Sequence, residues 1–217
     1  MSALKFATVA LDVDSTVSGI EGIDWLAERR GDAVARRVAD LTTQAMQGTI
    51  PLEQVYRARL EAIRPRRDDI DALARAYVDE LAPGCGGAIS TLRHAGVDVI
   101  LVSSGIRNAL LRLALHLDFD VSDLHAVDLR FDPGGAYTGF DASSPLTRST
   151  GKHTLLATLP LARPLLMVGD GATDLATRGV VDSFAAFTGF VSRDAVVQQA
   201  DIVLASFAEL ATFVVSG

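Results

Sequence analysis

The chain has 217 residues, of which 49% are apolar and only 6% aromatic, so it can bury a sizeable core built mainly from small aliphatic side chains. Its formal charge of −7 argues against general binding to nucleic acid or to an anionic membrane surface. The lone cysteine, Cys85, cannot form an internal disulfide. The N-terminus does not resemble a secretory leader, and no segment has the apolar length of a membrane span. Together these features predict a soluble, cytoplasmic protein.

The first predicted element is a short buried strand. Ala7–Leu11 is an apolar run that stops at two acids. From about residue 16 to residue 81 the apolar residues recur at helical spacing. Helices are predicted over Asp32–Gln47, from Pro51 to Ile63, and over Asp68–Leu81.

After Pro83 and Gly84 the pattern alternates between strands and helices, which predicts a parallel sheet covered by helices. Turn residues between two strand-like runs also predict a β-hairpin at 127–140. The predicted strands are Val97–Val102, Leu165–Val168 and Ile202–Leu204, and the predicted helices are Ile106–Leu117 and one that begins at Ser206.

The helical block interrupts the alternating pattern directly after the first strand. We therefore expect an α/β fold with a central parallel sheet flanked by helices. Residues 1–15 and 82–217 would form its core, and residues 16–81 would be an inserted helical cap. Ligands of such sheets bind beyond the carboxyl ends of the strands.

Two pairs of acids follow predicted strands. Asp12 and Asp14 follow the first strand, and Asp170 and Asp174 flank glycines after a later one. Close carboxylates need a metal or a cation, and oxygen ligands of this kind suit Mg²⁺. An acidic turn or helix cap at the first pair, and a tight turn at the second, are the alternatives.

Two further features are compatible with phosphate binding. Ser103-Ser104-Gly105 ends another apolar strand, where a hydroxyl and backbone N–H groups can hold a phosphate, although taken alone the segment is better explained as an ordinary turn with an N-cap serine. Lys152 follows a glycine before a helix, where a lysine is usually only surface charge.

In their order along the chain, the four features resemble the motifs of the haloacid dehalogenase superfamily, which implies a Rossmann-like core. The similarity extends over about Lys5 to Phe213 to one family, the phosphoserine phosphatases. Two departures, Ser104 where the family usually has glycine and Leu52 where a bulky aromatic is common, lie near the expected substrate. The stretches that carry the family resemblance are Asp12–Asp24, Ala45–Gly48, Arg59-Leu60, Tyr137–Asp141 and Gly169–Asp174.

The resemblance implies a phosphatase with Asp12 as nucleophile and Asp14 as general acid and base. It implies a Mg²⁺ ion held by Asp12, the main-chain carbonyl of Asp14, and Asp170. Ser103 and Lys152 would be the other catalytic residues, with Thr16 and Asp174 supporting them from behind. The substrate would contact Glu21, Met46, Leu52, Arg59, Ser103, Ser104, Gly105, Lys152 and Thr173.

Arg59 is also singled out by its own position. It falls on a stripe with Leu52, Val55 and Ile63 that is otherwise apolar, and a cation on an inward face needs an anionic partner. The carboxylate of phosphoserine would serve. Alternatively, Arg59 extends to solvent or pairs with an acid of the helical segment such as Glu61 or Glu80.

The predicted partner is therefore a small phosphomonoester, acted on by a monomer or homodimer. Phosphatases for phosphoethanolamine or phosphocholine, and a phosphotransferase to homoserine, remain alternatives among enzymes. A phospho-acceptor signalling module also phosphorylates an aspartate, but it needs no acid and base such as Asp14. A dehalogenase would lack the arrangement of Asp14 and Asp170.

Overall fold

A parallel sheet forms where the short apolar runs of the sequence lie. The computed structural model describes the backbone of residues 5–46 and 52–215 and the side chains of residues 5–42 and 53–215. The strands, in chain order, are β1 (Thr8–Leu11), β2 (Asp98–Ile106), β3 (Leu124–Val127), β4 (Leu129–Phe131), β5 (Tyr137–Phe140), β6 (Leu165–Gly169), β7 (Ser183–Phe187) and β8 (Ile202–Leu204).

Within the described ranges, six of these strands form one parallel sheet in the order β3-β2-β1-β6-β7-β8. Strand β1 is central, and all four of its residues are buried. Leu11 lies opposite Leu101 of β2 on one side and Val168 of β6 on the other. This register brings Asp12, Ser103 of β2 and Asp170 to one edge of the sheet.

Helices cover the sheet, as the alternating pattern predicts. Two 3₁₀ turns, Val121–Asp123 and Pro145–Thr147, lie in the connections. The helices are α1 (Gly22–Arg29), α2 (Asp32–Met46), α3 (Leu52–Ile63), α4 (Arg67–Asp79), α5 (Cys85–His94), α6 (Arg107–His116), α7 (Gly151–Leu156), α8 (Ala172–Leu175), α9 (Asp194–Val197) and α10 (Phe207–Val215).

Helices α1 to α4 all lie between β1 and β2 in the chain, and they pack on one another around α1. Helix α4 also packs against α6, which follows β2. The apolar stripe of α4, with Ile70, Leu73, Ala74 and Tyr77 buried, makes this double packing favourable. None of the helices in the described ranges is both long and apolar enough to cross a membrane.

The predicted hairpin is present as an antiparallel pair in which Leu129 of β4 lies opposite Phe140 of β5. Its turn contains Gly135 at φ +77°, a conformation that glycine adopts without a steric penalty. Together with the parallel sheet, it confirms the predicted α/β fold class. Val127, which the prediction assigned to the hairpin, instead pairs with Ile106 in the main sheet.

Strands β2 and β7 depart from the sequence prediction. Strand β2 continues through Ser103, Ser104 and Gly105, where a turn was expected, because a shift in its pairing with β3 between Val102 and Ile106 lets the chain stay extended. Strand β7, with sequence SFAAF, was not predicted, since two alanines in five residues give little β signal.

Candidate active site

Asp12 lies at the centre of the carboxyl edge, directly after β1. Its side chain is buried, and Lys152 Nζ donates to its Oδ1 at 2.5 Å. Burial raises the pKa of Asp12 well above its usual range, the charge of Asp174 adds to this, and Lys152 opposes it. The lysine is therefore the nearby cation that favours the ionised, nucleophilic form of Asp12.

Close packing of Gly151, the residue before Lys152, places Lys152 in the interior of the protein. A Cβ atom on Gly151 would lie 2.1 Å from the carbonyl oxygen of Pro145, so only glycine allows the start of α7 to pack this closely. Lys152 is buried and also donates to Asp174 Oδ1 at 2.5 Å. Burial alone lowers the pKa of Lys152, but its two carboxylate partners outweigh that effect and hold the pKa above its ordinary value.

Three buried carboxylates converge beside this lysine. Asp12, Asp170 and Asp174 each present an oxygen, and these oxygens all lie within 4.8 Å of one another. The Asp174 carboxylate lies against the backbone of Gly169, which is possible because Gly169 has no side chain. A Cβ atom on Gly169 would lie 2.3 Å from that carboxylate. The backbone N–H of Gly171 donates to Asp174 Oδ2 at 2.9 Å and fixes its orientation.

Arg193 supplies a second cation to the cluster. It lies just before α9, and its Nε and Nη2 atoms approach Asp170 Oδ2 at 3.0 and 2.9 Å. Its Nη2 atom also lies 3.6 Å from Glu21 Oε1. Burial and the charge of Asp174 raise the pKa of Asp170 to about 6 even though Arg193 opposes them.

Asp14 occupies a different environment from Asp12, although only one residue separates them. The backbone N–H of Gly22 donates to its Oδ2 at 2.9 Å, and the hydroxyl of Tyr77 donates to its Oδ1 at 2.9 Å. Burial and the charge of Glu21 raise the pKa of Asp14 to about 7. A carboxyl group with this pKa can both give and take a proton near neutral pH.

Ser103 lies within the neighbouring strand β2, near its carboxyl end. It is buried, and its Oγ accepts from the backbone N–H of Gly105 at 2.8 Å. Gly105 lets two functional groups come close together. A Cβ atom on it would lie 2.9 Å from Ser103 Oγ and 3.1 Å from Asp14 Oδ1. The Ser103 hydroxyl and Asp14 Oδ1 therefore border the same small space.

The helical segment supplies further polar groups. Glu21 accepts from the hydroxyl of Ser15 at 2.8 Å. Arg59 of α3 donates from Nη2 to Asp24 Oδ1 of α1 at 2.8 Å, while its Nε atom is buried without a partner among the described residues. The hydroxyl of Tyr56, also on α3, is likewise buried and unpaired.

Comparison of whole sequences decides the family. No family model matches the chain. The chain is 35% identical over 205 residues to phosphoserine phosphatase of Homo sapiens, covering 93% of this chain and 90% of that protein. It is 35% identical over 207 residues to the chloroplastic phosphoserine phosphatase of Arabidopsis thaliana, covering 93% of this chain and 70% of that protein. The chain belongs to the phosphoserine phosphatase family.

Solved structures of this family show the same fold. A substrate-bound phosphoserine phosphatase complex superposes with a TM-score of 0.77 at 23% identity, covering 97% of this chain and 99% of that one. A phospho-aspartyl intermediate analogue of phosphoserine phosphatase also superposes at 0.77, with 24% identity and coverage of 96% and 98%. The predicted Rossmann-like core is confirmed.

Most of the residues that the family resemblance singles out lie around the carboxyl edge of the sheet or on the helices next to it. Thr16 is buried and its hydroxyl has no partner among the described residues, while Ser104 and Thr173 are half-buried. The side chains of Met46 and Leu52 lie outside the described residues. Arg59 pairs with Asp24 rather than with either of the acids named as alternatives from the sequence.

Three residues at the site escape sequence reasoning. Arg193 stands alone in a loop with no motif around it, and Asp24 reads as an ordinary first-turn acid of a helix. Tyr77 carries a weak signal, because it continues the buried stripe of α4 as that stripe's only residue with a hydroxyl. Each acts through an ion pair or hydrogen bond to a distant part of the chain, which periodicity does not reveal.

Proposed function

We propose that this chain is a Mg²⁺-dependent phosphatase that hydrolyses L-phosphoserine to L-serine and phosphate through an aspartyl-phosphate at Asp12. The observation that carries the proposal is the buried Asp12 carboxylate at the end of the central strand, beside Lys152 and within 4.8 Å of two further carboxylates. Membership of the phosphoserine phosphatase family supports both the reaction and the substrate.

In the first step, a carboxylate oxygen of Asp12 attacks phosphorus, and the bond from phosphorus to the serine oxygen breaks. The serine alkoxide is a poor leaving group, so Asp14 donates a proton to it as the bond breaks. Ser103 donates a hydrogen bond to a phosphoryl oxygen. Lys152 keeps Asp12 ionised before the attack and balances the charge on the phosphoryl group during it.

In the second step, water attacks the phosphorus of phospho-Asp12. Asp14, now ionised, takes a proton from that water, so that phosphate leaves and both carboxyl groups return to their initial states. The different surroundings of the two acids support this division of roles. Asp12 contacts a lysine, whereas Asp14 contacts two hydrogen-bond donors and has a pKa of about 7.

The donor set fits a magnesium ion. Asp12, Asp170 and the main-chain carbonyl of Asp14 offer hard oxygen ligands, and the crowded carboxylates have raised pKa values that a divalent cation would relieve. When bound, Mg²⁺ would neutralise phosphoryl charge and so favour attack by an anionic nucleophile. Asp174 supports the cluster from behind through Lys152.

Recognition of the serine part is assigned to the helical segment, residues 16–81, acting as a cap. Arg59 would bind the substrate carboxylate, for which its unpaired Nε and its Nη2 are suitable donors. Glu21 would bind the ammonium group. Met46 and Leu52 would form apolar walls, and Ser104, Gly105 and Thr173 would make further contacts with the substrate.

We also propose a cytoplasmic location and a monomeric or homodimeric state. The lone cysteine, which is buried, is compatible with a reducing compartment.

The test is phosphate release from a panel of small phosphomonoesters, with and without Mg²⁺. The panel should contain phosphoserine, phosphoethanolamine and phosphocholine, with homoserine added separately as a phosphoryl acceptor. We expect release to depend on Mg²⁺ and to be most efficient with phosphoserine. Preference for another ester, or transfer to homoserine without release, would overturn the substrate assignment, and no turnover of any ester would overturn the phosphatase.

A further inference from the structure

Tyr77 connects the helical segment to the acid and base of the proposed reaction. It lies near the end of α4 and is completely buried. Its hydroxyl donates to Asp14 Oδ1 at 2.9 Å, and the N–H of Gly22, at the start of α1, donates to Oδ2 at the same distance. Each oxygen of this one carboxyl group is therefore held by a donor from a different helix.

The contact leaves the Tyr77 hydroxyl little freedom. A Cβ atom on Gly22 would lie 2.1 Å from the hydroxyl oxygen and 3.1 Å from the ring carbon that bears it. Any side chain at position 22 would thus displace the hydroxyl, so the absence of one is what allows both donors to reach Asp14 together. Burial, followed by the charge of Asp14, raises the pKa of Tyr77, so the phenol remains a donor.

The oxygen that Tyr77 holds is the one nearer the reacting groups. A Cβ atom on Gly105 would lie 3.1 Å from Asp14 Oδ1 and 2.9 Å from Ser103 Oγ. Rotation of the carboxyl group about its own bonds would turn Oδ1 away from this space. A general acid displaced by about 1 Å can lose roughly 100-fold in rate.

We propose that Tyr77 is a positioning residue for Asp14, whose hydroxyl holds Oδ1 towards Ser103 and Gly105, where the leaving oxygen of the substrate is protonated. This inference rests on the proposed function, since it assumes that Asp14 is the general acid. It gives Tyr77 a role in proton transfer to the leaving group and none in binding the phosphate or the amino acid.

A purely structural role would have a different signature. If the Tyr77 hydroxyl only satisfied its own hydrogen-bonding need, its loss would lower stability and affect all substrates alike. If it positions the acid, its loss affects those esters whose leaving group needs a proton. Phosphoserine has such a leaving group, whereas p-nitrophenyl phosphate releases a stable anion without help.

The test is Tyr77→Phe in single-turnover kinetics, which isolate phosphorylation of the enzyme from later hydrolysis. With phosphoserine we expect a fall of roughly 10- to 100-fold in the phosphorylation rate and a KM within about 2-fold of wild type. With p-nitrophenyl phosphate the burst of nitrophenolate should keep nearly its wild-type rate, which also shows that the variant is folded. Equal losses for both esters, or none for phosphoserine, would overturn the inference.

A double-mutant cycle with Gly22→Ala provides a second test. In the wild-type background the new methyl group should push the Tyr77 hydroxyl off Asp14 and reproduce the loss with phosphoserine. In Tyr77→Phe, where the clashing oxygen is gone, Gly22→Ala should add little, since the ring has only a few tenths of an ångström to move. Fully additive losses would contradict the inference.

The proposed function is tested separately by Asp14→Asn. If wild type hydrolyses phosphoserine and Asp14→Asn loses that activity while Tyr77→Phe keeps it, only the role of Tyr77 is wrong. If wild type releases no phosphate from phosphoserine, the proposed function fails and the inference fails with it.

Discussion

Lys152 Nζ lies 2.5 Å from Asp12 Oδ1, although the two residues are 140 positions apart in the chain. The same nitrogen lies 2.5 Å from Asp174 Oδ1, and all three side chains are buried. One ammonium group thus compensates two carboxylates that would otherwise repel each other out of contact with water. This relationship makes Lys152 important for stability as well as for the reaction.

Lys152→Met should therefore destabilise the metal-free protein strongly. Removing one partner from a buried ionic cluster leaves uncompensated charge and typically costs about 3–5 kcal/mol of unfolding free energy. The matched control is Arg163→Met, which removes a half-exposed pair with Asp182 and should cost less than about 1 kcal/mol. Urea unfolding of both variants checks this, and equal losses would mean that the buried cluster has no special role.

Mg²⁺ should raise the melting temperature of the metal-free protein, and by less as the pH falls. Mg²⁺ binds the ionised carboxylate, whereas Asp170 has a pKa of about 6, so below that pH a proton competes with the ion. At 100 times its dissociation constant the ion adds about 2.7 kcal/mol of stability.

Thermal unfolding at several pH values measures this shift. Asp170→Asn should remove it. Asp141→Asn, a change at an acid that lies next to Arg130 and is not part of the carboxylate cluster, should leave it intact. A shift that is equal at pH 5 and pH 8, or that survives in Asp170→Asn, would show that the ion binds elsewhere.

Much of the fold can be predicted because its strands are short apolar runs that stop at acids or serines. The order of motifs along the chain also predicts that Asp12, Ser103 and Asp170 meet at one sheet edge. The position of Lys152 cannot be derived from its neighbours, since it depends on the packing of Gly151 against the carbonyl of Pro145. The local pattern suggested only surface charge for Lys152, whereas the family resemblance implied a place beside Asp12, and the structure has that contact.

Neither the local sequence pattern nor the family resemblance predicts some other features of the structure. Arg193 and Tyr77 reach their carboxylate partners across the tertiary structure, so no spacing in the sequence reveals those contacts. Strand β7 was not predicted from the sequence because alanine is uncommon in strands. Its position is fixed instead by pairing on both sides with β6 and β8.

Arg59→Ala should lower kcat/KM for phosphoserine without changing kcat/KM for phosphoethanolamine, which lacks a carboxylate. Loss of a charge-assisted hydrogen bond costs roughly 1.5–3 kcal/mol, or about ten- to a hundred-fold in kcat/KM for phosphoserine. Arg57→Ala is the control, because that arginine lies over the ring of Phe140 on the same helix and has no assigned role in binding. Equal losses for both esters in Arg59→Ala would leave only the broader phosphatase assignment.

Tyr56→Phe should stabilise the substrate-free protein. The Tyr56 hydroxyl is buried without a partner among the described residues, and removing such a group recovers its desolvation cost, roughly 1 kcal/mol. Tyr77→Phe is the matched contrast and should destabilise, because its hydroxyl is paired with Asp14. Chemical denaturation compares the two, and a destabilised Tyr56→Phe would show that this hydroxyl has a partner after all.

The most direct test of the central claim is to trap the phosphorylated enzyme. Protein mixed with ³²P-labelled phosphoserine and Mg²⁺, then quenched in acid within milliseconds, should carry label that hydroxylamine removes, as expected of an acyl phosphate. Peptide mapping should place that label on Asp12, and Asp12→Asn should be folded, unlabelled and inactive. Steady release of phosphate with no labelled protein, label on another residue, or wild-type turnover by Asp12→Asn would contradict the account.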